Sequence, residues 1–348
     1  MTVRFGMIGA GQMARIHARA LADDPALTKL VAVAGGTRAP EFGAEFGAEV
    51  EPTVAALLDR RDIDGVVIAT PHSAHLGQVV AAAQAGKHVM LEKPMALDVD
   101  ECRQMIDACA AAGVYLSLAK ITRWLEAVST AHKLVADGAA GEIIGIHVHR
   151  LFPGYPNTGW PLDPGEGGAW LDWGSHGCDI VRWFAGREPS VVAARASSRR
   201  DDLKDLSVMA TFEFPGGLLA HLWQSYEIPA ISATERARYT FVGTEAVVDV
   251  NAYGGVDIMR GENVEAAYRD ERFVGPNTTW DEYAPYFTRG FAAQVRDIAE
   301  AIRDGRPPAI SGEDGLAAVA MATGARRSWE SDTVVNLAAF AAAGVGAR

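Results

Sequence analysis

Two carboxylates and one imidazole stand close together near the middle of the chain, with a spacing that suits acid–base chemistry. Asp172 and His176 are four residues apart, and Asp179 follows His176 after three. On a helix these side chains would share one face. A carboxylate beside an imidazole stabilises the imidazolium and fixes which ring nitrogen faces a ligand. The pattern predicts a general base that accepts a proton from a ligand.

Other interpretations of this run stay open. A histidine on a tryptophan-rich amphipathic helix is often structural, and Asp179 has Arg182 three residues ahead as an alternative partner. A metal site would require Asp172, His176 and Asp179 to converge from one helical turn. It would also leave the glycine-rich motif near the N-terminus unexplained, so we predict no metal.

That glycine-rich motif predicts a bound dinucleotide. Residues 9–14 read GAGQMA, of the form G-x-G-x-x-A, between a predicted strand and a predicted helix. Gly9 permits the tight turn, Gly11 lets the backbone approach a pyrophosphate, and Ala14 keeps the helix close to the strand. A turn without a ligand is the alternative, which the strand–turn–helix context disfavours. We expect cofactor contacts from Gly9, Gly11, Gln12 and Met13.

The second predicted strand bears on which cofactor is bound. It ends in Gly35-Gly36-Thr37-Arg38, without the Asp or Glu that usually hydrogen-bonds the ribose 2′-hydroxyl of NAD. A hydroxyl and a cation in that place tolerate a 2′-phosphate. We therefore predict NADP or NAD, with NADP favoured and with Thr37 and Arg38 as contacts. An Arg38 that points to solvent is the alternative.

A lysine at the end of another apolar run is the third chemical feature. The run leads directly into Glu92-Lys93-Pro94. In an open parallel sheet the ligand crevice lies outside the carboxyl ends of the strands, so Lys93 would face cofactor and substrate. Pro94 favours an extended backbone at Lys93. A surface lysine in a βα loop is the competing interpretation.

The elements around these residues predict an α/β fold in two parts. An N-terminal Rossmann domain with a doubly wound parallel sheet is expected over residues 1–122, because short β-rich runs alternate with Ala-rich helical runs. The predicted strands are Val3–Ile8, Leu30–Ala34, Gly65–Thr70, His88–Glu92 and Tyr115–Ala119, and the predicted helices are Met13–Leu21, Val54–Asp59, Ala74–Ala85 and Val99–Ala112.

A C-terminal α+β domain with a large, mostly antiparallel open sheet is expected over residues 123–348, for substrate binding and oligomerisation. The predicted strands are Glu142–Arg150, Val191–Ala196, Ser207–Phe214, Leu218–Tyr226, Arg238–Val242 and Ala246–Val250. A helical stretch over Gly165–Phe184 interrupts this sheet. Further helices are predicted at Trp124–Ala136, Thr288–Asp304 and Gly312–Glu330.

Composition excludes several classes of protein. The net charge is −12 and no Lys or Arg cluster stands out among the 348 residues, which argues against a nucleic-acid partner. No apolar run is long enough for a membrane span, and the first residues show no signal-peptide pattern. The three cysteines are widely spaced, which argues against a disulfide framework. We expect a cytoplasmic protein.

Together the motifs resemble the Gfo/Idh/MocA oxidoreductases, a family that includes glucose–fructose oxidoreductase and inositol dehydrogenases. The resemblance covers nearly the whole chain and rests on residues 9–14, Thr70-Pro71, Glu92-Lys93-Pro94 and the run Gly168-x-x-x-Asp172-x-Gly174-x-His176-x-x-Asp179. It implies a homodimer or homotetramer through the C-terminal sheet. It also implies a catalytic set of Lys93, Asp172 and His176, in which the His is the acid/base, the Asp its partner and the Lys orients the substrate.

Two departures from the family pattern affect the expected contacts. His72 stands where the family commonly has Asn, and the usual Gly-x-x-x-Arg-Phe run reads AKITRW over residues 119–124. The second change adds Lys120 as a cation on the substrate side. We expect further cofactor contacts from Thr70, His72, His75, Glu92 and Lys93, and substrate contacts from Lys93, Lys120, Arg123, Trp160, Asp172, His176 and Asp179.

The resemblance implies an NAD(P)-dependent dehydrogenase acting on the CH–OH group of a sugar, polyol or cyclitol. Four alternatives stay open. They are an NAD-dependent glycoside hydrolase, an internal-redox enzyme with a retained cofactor, a dihydrodiol-type dehydrogenase and a non-catalytic dinucleotide-binding sensor. A sensor usually loses the Lys or the His of the catalytic set, and this chain keeps both.

Overall fold

The structure is a computed structural model that describes residues 1–155, 162–229, 235–270 and 280–343 of the chain. The chain divides into two compact units. The first contains residues 1–121 and 288–316, and the second contains residues 122–287 and 317–348. The predicted functional boundary between residues 122 and 123 stays a prediction, because compactness does not show which part binds which ligand.

The first unit is built on a six-stranded parallel sheet in the order β3-β2-β1-β4-β5-β6. Its strands are β1 (Val3–Ile8), β2 (Thr28–Ala34), β3 (Glu49–Val50), β4 (Gly65–Ile68), β5 (His88–Leu91) and β6 (Leu116–Leu118). Its N-terminal helices are α1 (Gln12–Ala22), α2 (Ala39–Phe46), α3 (Val54–Leu58), α4 (His75–Gln84) and α5 (Val99–Ala112). The chain reverses its direction of progress between β1 and β4, the switch point where open α/β sheets bind ligands.

The second unit is built on a nine-stranded sheet in the order β14-β13-β12-β11-β7-β10-β9-β8-β15. Its strands are β7 (Ile143–Leu151), β8 (Val191–Ser197), β9 (Ser207–Glu213), β10 (Leu219–Ser225), β11 (Ala237–Gly243), β12 (Val247–Asn251), β13 (Gly255–Arg260), β14 (Asn263–Arg269) and β15 (Val335–Asn336). The β7–β10 pair is parallel and the other pairs are antiparallel. The predicted fold class is confirmed.

Helices α6 (Glu126–Ala136) and α7 (Ser175–Ala185) cover part of this sheet, and α8 (Trp280–Asp304), α9 (Gly312–Ser331) and α10 (Leu337–Ala343) complete the chain. Helix α7 packs against β7 and β10. A Cβ on Gly177 would lie 2.6 Å from Cδ1 of Leu222, so glycine is needed for this close approach. Along β9, buried and exposed residues alternate, which leaves the face opposite α7 open.

The predicted helical stretch over Gly165–Phe184 is not one continuous helix. A 3₁₀ turn covers Pro164–Glu166, a π-helical turn covers Trp170–Gly174, and α7 follows. Gly167 and Gly168 separate the first two with φ angles of 88° and 76°. Short π-helical segments recur at functional sites. The change of helix type falls on the run that carries the predicted catalytic residues.

Candidate active site

The turn after β1 has the geometry of a phosphate-binding loop. Gly9 has φ of 103°, and a Cβ there would lie 2.4 Å from the carbonyl oxygen of Ala69. Gly11 is the N-cap residue of α1 and has no side chain that could accept from the first turn of the helix. The cap residue therefore leaves the N–H groups of that turn open, as an anion site at a helix N-terminus requires. These features fit a dinucleotide. Gln12 is exposed and Met13 is half-buried.

Arg38 lies beside this turn. Thr37 and Arg38 are both exposed, and Arg38 stands immediately before α2. A Cβ on Gly11 would lie 3.6 Å from Nη2 of Arg38. The guanidinium is therefore within reach of an anion held at the N-terminus of α1.

His75 connects the loops that follow β4 and β5. Its Nδ1 lies 3.0 Å from the carbonyl oxygen of Pro94, and its Nε2 lies 3.2 Å from that of Thr70. Burial and the nearby His72 lower the pKa of His75 to about 4, although the backbone carbonyls oppose this. The neutral, fully buried His75 lies between the two loops and, with a single N–H, donates to a carbonyl oxygen of one of them. The Thr70 hydroxyl donates to Oε1 of Gln78 at 2.7 Å, and His72 is buried.

Glu92 is held by a residue that sequence reasoning did not single out. Nε2 of the fully buried His17 lies 2.6 Å from Oε1 of Glu92. The Lys93 backbone N–H donates to Oε2 of Glu92 at 3.1 Å. Burial alone would raise the pKa of Glu92, but the hydrogen bond and charge of His17, together with Lys93, bring it below its ordinary value. The ionised carboxylate fixes the backbone of the half-buried Lys93.

The π-helical turn of the second unit is anchored by Trp170. The Trp170 backbone N–H donates to Oδ2 of Asp205 at 2.9 Å, and its Nε1 donates to the carbonyl oxygen of Ala322 at 2.9 Å. A Cβ on Gly174 would lie 2.7 Å from the Trp170 ring. These contacts fix the backbone on both sides of Asp172.

Asp172 and His176 are both buried, at 8% and 3% exposure. Oδ2 of Asp172 accepts a long hydrogen bond of 3.4 Å from the Tyr155 hydroxyl. Burial, followed by the charges of Asp172 and Asp205, raises the pKa of Tyr155. Tyr155 is therefore a neutral donor toward Asp172. The structure thus brings a carboxylate and an imidazole to the same buried helix start.

Comparison with known proteins identifies the family. The model described as "Oxidoreductase family, NAD-binding Rossmann fold" matches residues 3–120, and the model described as "GFO/IDH/MocA C-terminal domain" matches residues 128–249. The inositol 2-dehydrogenase of Rhizobium meliloti (strain 1021) is 30% identical over 345 residues, which cover 97% of this chain and 100% of that protein. The chain belongs to the GFO/IDH/MocA family. It is an oxidoreductase, and the predicted family and enzyme class are confirmed.

Two further proteins are similar to this chain over nearly its full length. The myo-inositol 2-dehydrogenase of Thermotoga maritima is 25% identical, over 96% of this chain and 98% of its own length. The crystal structure of the aldose-aldose oxidoreductase from Caulobacter crescentus, complexed with glycerol, superposes with a TM-score of 0.82 at 26% identity. It covers 97% of this chain and 100% of that one.

Asp179 has a different partner from the one considered in the sequence. Its carboxylate binds Arg123, with Nε–Oδ2 and Nη2–Oδ1 distances of 2.8 and 2.7 Å, and both residues are buried. Arg182 instead pairs with Glu188 at 2.6 Å. The alternative pairing of Asp179 with Arg182 is therefore wrong. Asp179 turns toward a residue 56 positions away because a bidentate buried arginine neutralises it fully.

The other predicted substrate residues are less defined by contacts. Lys120 is 1% exposed, and its charge lowers the pKa of the Cys102 thiol against the larger effect of burial, which raises it. Trp160 lies outside the described residues.

Across residues 1–155, 162–229, 235–270 and 280–343, no group of three or more His, Cys, Asp or Glu side chains is arranged to hold a metal. Within those same ranges no helix combines the length and apolarity needed to cross a membrane.

Proposed function

We propose that this chain is an NAD(P)-dependent dehydrogenase that oxidises a secondary alcohol of a sugar, polyol or cyclitol, or reduces the corresponding ketone. The observation that carries the proposal is the burial of Asp172 and His176 at one helix start, in a chain whose first unit has a dinucleotide-type turn. Two relatives that align over nearly their full length are inositol 2-dehydrogenases by name, which supports a polyol-like substrate.

The chemistry divides between the cofactor and the side chains. A bound nicotinamide supplies the carbon that accepts the hydride. In the proposed reaction His176 takes the proton from the alcohol oxygen, and a ketone remains. Asp172 stabilises the imidazolium that forms. The Lys93 ammonium stabilises negative charge that develops on the oxygen, which is the kind of preorganised interaction that lowers a barrier. In the reverse direction His176 returns the proton.

The cofactor is proposed to be NADP or NAD, with NADP favoured. Gly9, Gly11 and the N–H groups at the start of α1 would hold the pyrophosphate. The proximity of the Arg38 guanidinium to Gly11 supports binding of a 2′-phosphate. Residues 1–122 are proposed to bind the cofactor, and residues 123–348 the substrate.

A second copy of this chain is the proposed partner. Large apolar side chains are exposed on the face of the nine-stranded sheet opposite α7, including Met209 at 47% and Leu219 at 53%. Clustered apolar exposure of this kind marks interaction sites. We propose a cytoplasmic homodimer or homotetramer formed through this face. In analytical ultracentrifugation, Met209→Glu combined with Leu219→Glu is expected to shift the protein to monomer, and an unchanged mass would contradict the proposed interface.

The test of the function begins with cofactor-stripped protein. Tryptophan fluorescence follows its titration with NADP and with NAD, and absorbance then follows turnover over a panel of polyols, sugars and cyclitols. Cofactor binding with turnover on at least one alcohol is the expected result. Product formation without added dinucleotide would instead indicate an internal-redox enzyme with retained cofactor. Binding of neither dinucleotide would contradict the proposal.

A further inference from the structure

Arg150 is a buried cation that the described chain does not neutralise. It lies on β7 and is 3% exposed. Its Nε and Nη1 are inaccessible to solvent and have no acceptor among the described residues, and no carboxylate in that part of the chain forms an ion pair with it. Burying a guanidinium without a hydrogen-bonded counter-charge is costly. A ligand acceptor would remove that cost.

Arg123, in the same unit, is a buried arginine that does have a carboxylate partner. Arg123 is 7% exposed and receives both oxygens of Asp179. Arg150 is buried still more deeply and receives no carboxylate within the described residues. Arg123 therefore has a carboxylate partner, whereas Arg150 has none among the described residues.

Further unsatisfied polar atoms lie on the same face of the sheet. Gln224 on β10 pairs directly with Arg150 across the β7–β10 ladder, and its Oε1 is buried without a partner in the described chain. The hydroxyls of Tyr226 and Tyr239 are also buried and lack a partner there. We name these four residues the Arg150 cluster. Because nearly all buried polar groups in native proteins are hydrogen-bonded, several unsatisfied ones in one place point to a ligand.

The Arg150 cluster lies beside the proposed catalytic pair. The Trp173 ring centroid is 5.7 Å from Cζ of Arg150 and 5.9 Å from the ring of His176. Burial and then the charge of Asp172 raise the pKa of Tyr226, while the charge of Arg150 lowers it. Tyr226 thus lies in the electrostatic field of both Asp172 and Arg150. The Trp173 ring is therefore a common neighbour of Arg150 and His176.

We propose that Arg150 binds a carboxylate of the substrate, which makes the substrate a sugar acid or a related hydroxy acid rather than a neutral polyol. This inference rests on the proposed dehydrogenase function and narrows its substrate class. The planar guanidinium can donate two parallel N–H···O bonds to a carboxylate, from Nη2 together with either Nε or Nη1. The amide of Gln224 and the tyrosine hydroxyls then serve the neighbouring substrate hydroxyls.

The aromatic rings around Arg150 fit this role. The rings of Phe152 and Trp173 both lie 5.7 Å from Cζ of Arg150, and both side chains are only half-buried. Their faces stabilise the cation before the ligand arrives, by less than a hydrogen-bonded anion would. A single cation in an apolar surround matches a singly charged carboxylate better than a phosphate, which carries about two charges.

The test compares sugars that differ only in a primary alcohol replaced by a carboxylate. The pairs are D-glucose with D-glucuronate and D-galactose with D-galacturonate, and the measured quantity is kcat/KM with the preferred dinucleotide. Wild type is expected to favour the acid of at least one pair by about tenfold or more. Arg150→Met is expected to lower kcat/KM for that acid by roughly 10- to 100-fold and to change the neutral sugar little. Arg303→Met, a change to an exposed arginine of α8, is the control.

Two further measurements keep the outcome interpretable. Arg150→Met should unfold at the same or a higher temperature than wild type, because an unpaired buried charge is replaced by an apolar chain of similar length. A purely structural Arg150 predicts the opposite. Arg150→Lys keeps the positive charge but loses the paired N–H donors of the guanidinium, so it should retain part of the preference for the acid.

Calorimetric titration of the acids in the presence of the reduced dinucleotide separates this inference from the proposed function. Arg150-dependent binding of a hexuronate without turnover of any alcohol would overturn the dehydrogenase and leave the carboxylate site. Turnover of neutral polyols by wild type, with no preference for any acid and no effect of Arg150→Met, would overturn the carboxylate site and leave the dehydrogenase.

Discussion

The two units of this chain satisfy their buried polar groups in different ways. In the first, the Glu92 carboxylate accepts from His17 and from the Lys93 backbone. The buried Lys87 ammonium donates to the carbonyl oxygens of Arg60 and Ile63 at 2.7 and 2.9 Å. Glu92 and Lys87 are thus hydrogen-bonded within the unit, and the groups proposed to recognise the cofactor are backbone N–H groups at the start of α1.

In the second unit the groups left for recognition are side chains. Asp179 completes Arg123, but the Arg150 cluster has buried polar atoms that the described chain leaves without partners. A backbone cradle suits a pyrophosphate, which every dinucleotide shares. Side chains on a sheet face can change one at a time while the fold stays the same. Cofactor recognition by backbone groups can therefore stay constant in this fold while substrate recognition by side chains varies.

The largest effect is expected from His176→Asn, which tests whether the second unit carries the proton transfer. Turnover should fall by about 10²- to 10⁴-fold, the usual contribution of general acid–base catalysis, while cofactor affinity stays as in wild type. Lys93→Ala should also lower turnover sharply, with Lys133→Ala, a lysine 75% exposed, as its matched control. Steady-state kinetics and fluorescence titration measure the two quantities. Unchanged turnover in both His176→Asn and Lys93→Ala would falsify the catalytic assignment.

Asp179→Asn is expected to have the next largest effect, on stability. It leaves the buried Arg123 without its counter-charge, so the free energy of unfolding should fall by about 3–5 kcal/mol in urea titrations. The Arg182–Glu188 pair gives the control, because Glu188 is exposed and Glu188→Gln should change that energy by less than about 1 kcal/mol. Equal effects of the two substitutions would show that burial does not distinguish these ion pairs.

Glu92→Gln sharpens the description of the first unit through its dependence on pH. The pKa of Glu92 in the folded chain lies below its ordinary value of 4.5, so the ionised carboxylate adds stability above that pH. This stability is lost as the pH falls through the folded-state pKa. Near pH 7 the substitution should cost about 1.5–3 kcal/mol, the range for a hydrogen bond to a charged group. The cost should shrink below pH 4.5.

Urea unfolding of both proteins across that pH range measures the difference. Glu245→Gln, which replaces an exposed glutamate, is the control. A cost that stays constant from neutral to acid pH would mean that the Glu92 carboxylate is not held ionised by His17 and Lys93.

Local patterns allowed much of the fold to be predicted. Alternation of strands and helices, the glycines of residues 9–14 and the Glu-Lys-Pro run all act over short distances in the sequence. Strand β13 was missed, and so was β14, which lies at the sheet edge, is mostly exposed and carries no apolar alternation. Helix α2 was missed because Pro40 and Gly43 lie within this short segment, and both residue types are more typical of turns than of helices.

Partners distant in sequence were not predictable in the same way. His17 and Glu92 are 75 residues apart in the sequence, and no local pattern around either residue indicates that they pair. Arg150 did leave a signal. Period-two alternation along β7 puts it on the same face as the buried Ile146 and Val148, and an arginine on an apolar strand face is unusual. The pattern indicates burial, but only tertiary structure reveals that no carboxylate of the described chain meets it.

Arg38→Ala is expected to have the smallest effect, and it tests whether the first unit recognises its cofactor by backbone alone. Arg38 is exposed, and its Nη2 lies near Gly11. Loss of one exposed charge-assisted hydrogen bond should lower kcat/KM for NADP by about tenfold and leave that for NAD unchanged. Arg61→Ala changes an exposed arginine outside the turn formed by residues 9–14 and serves as the control. A wild-type ratio of NADP to NAD specificity constants clearly below one would remove the role of Arg38, and cofactor recognition by this unit would then rest on its backbone.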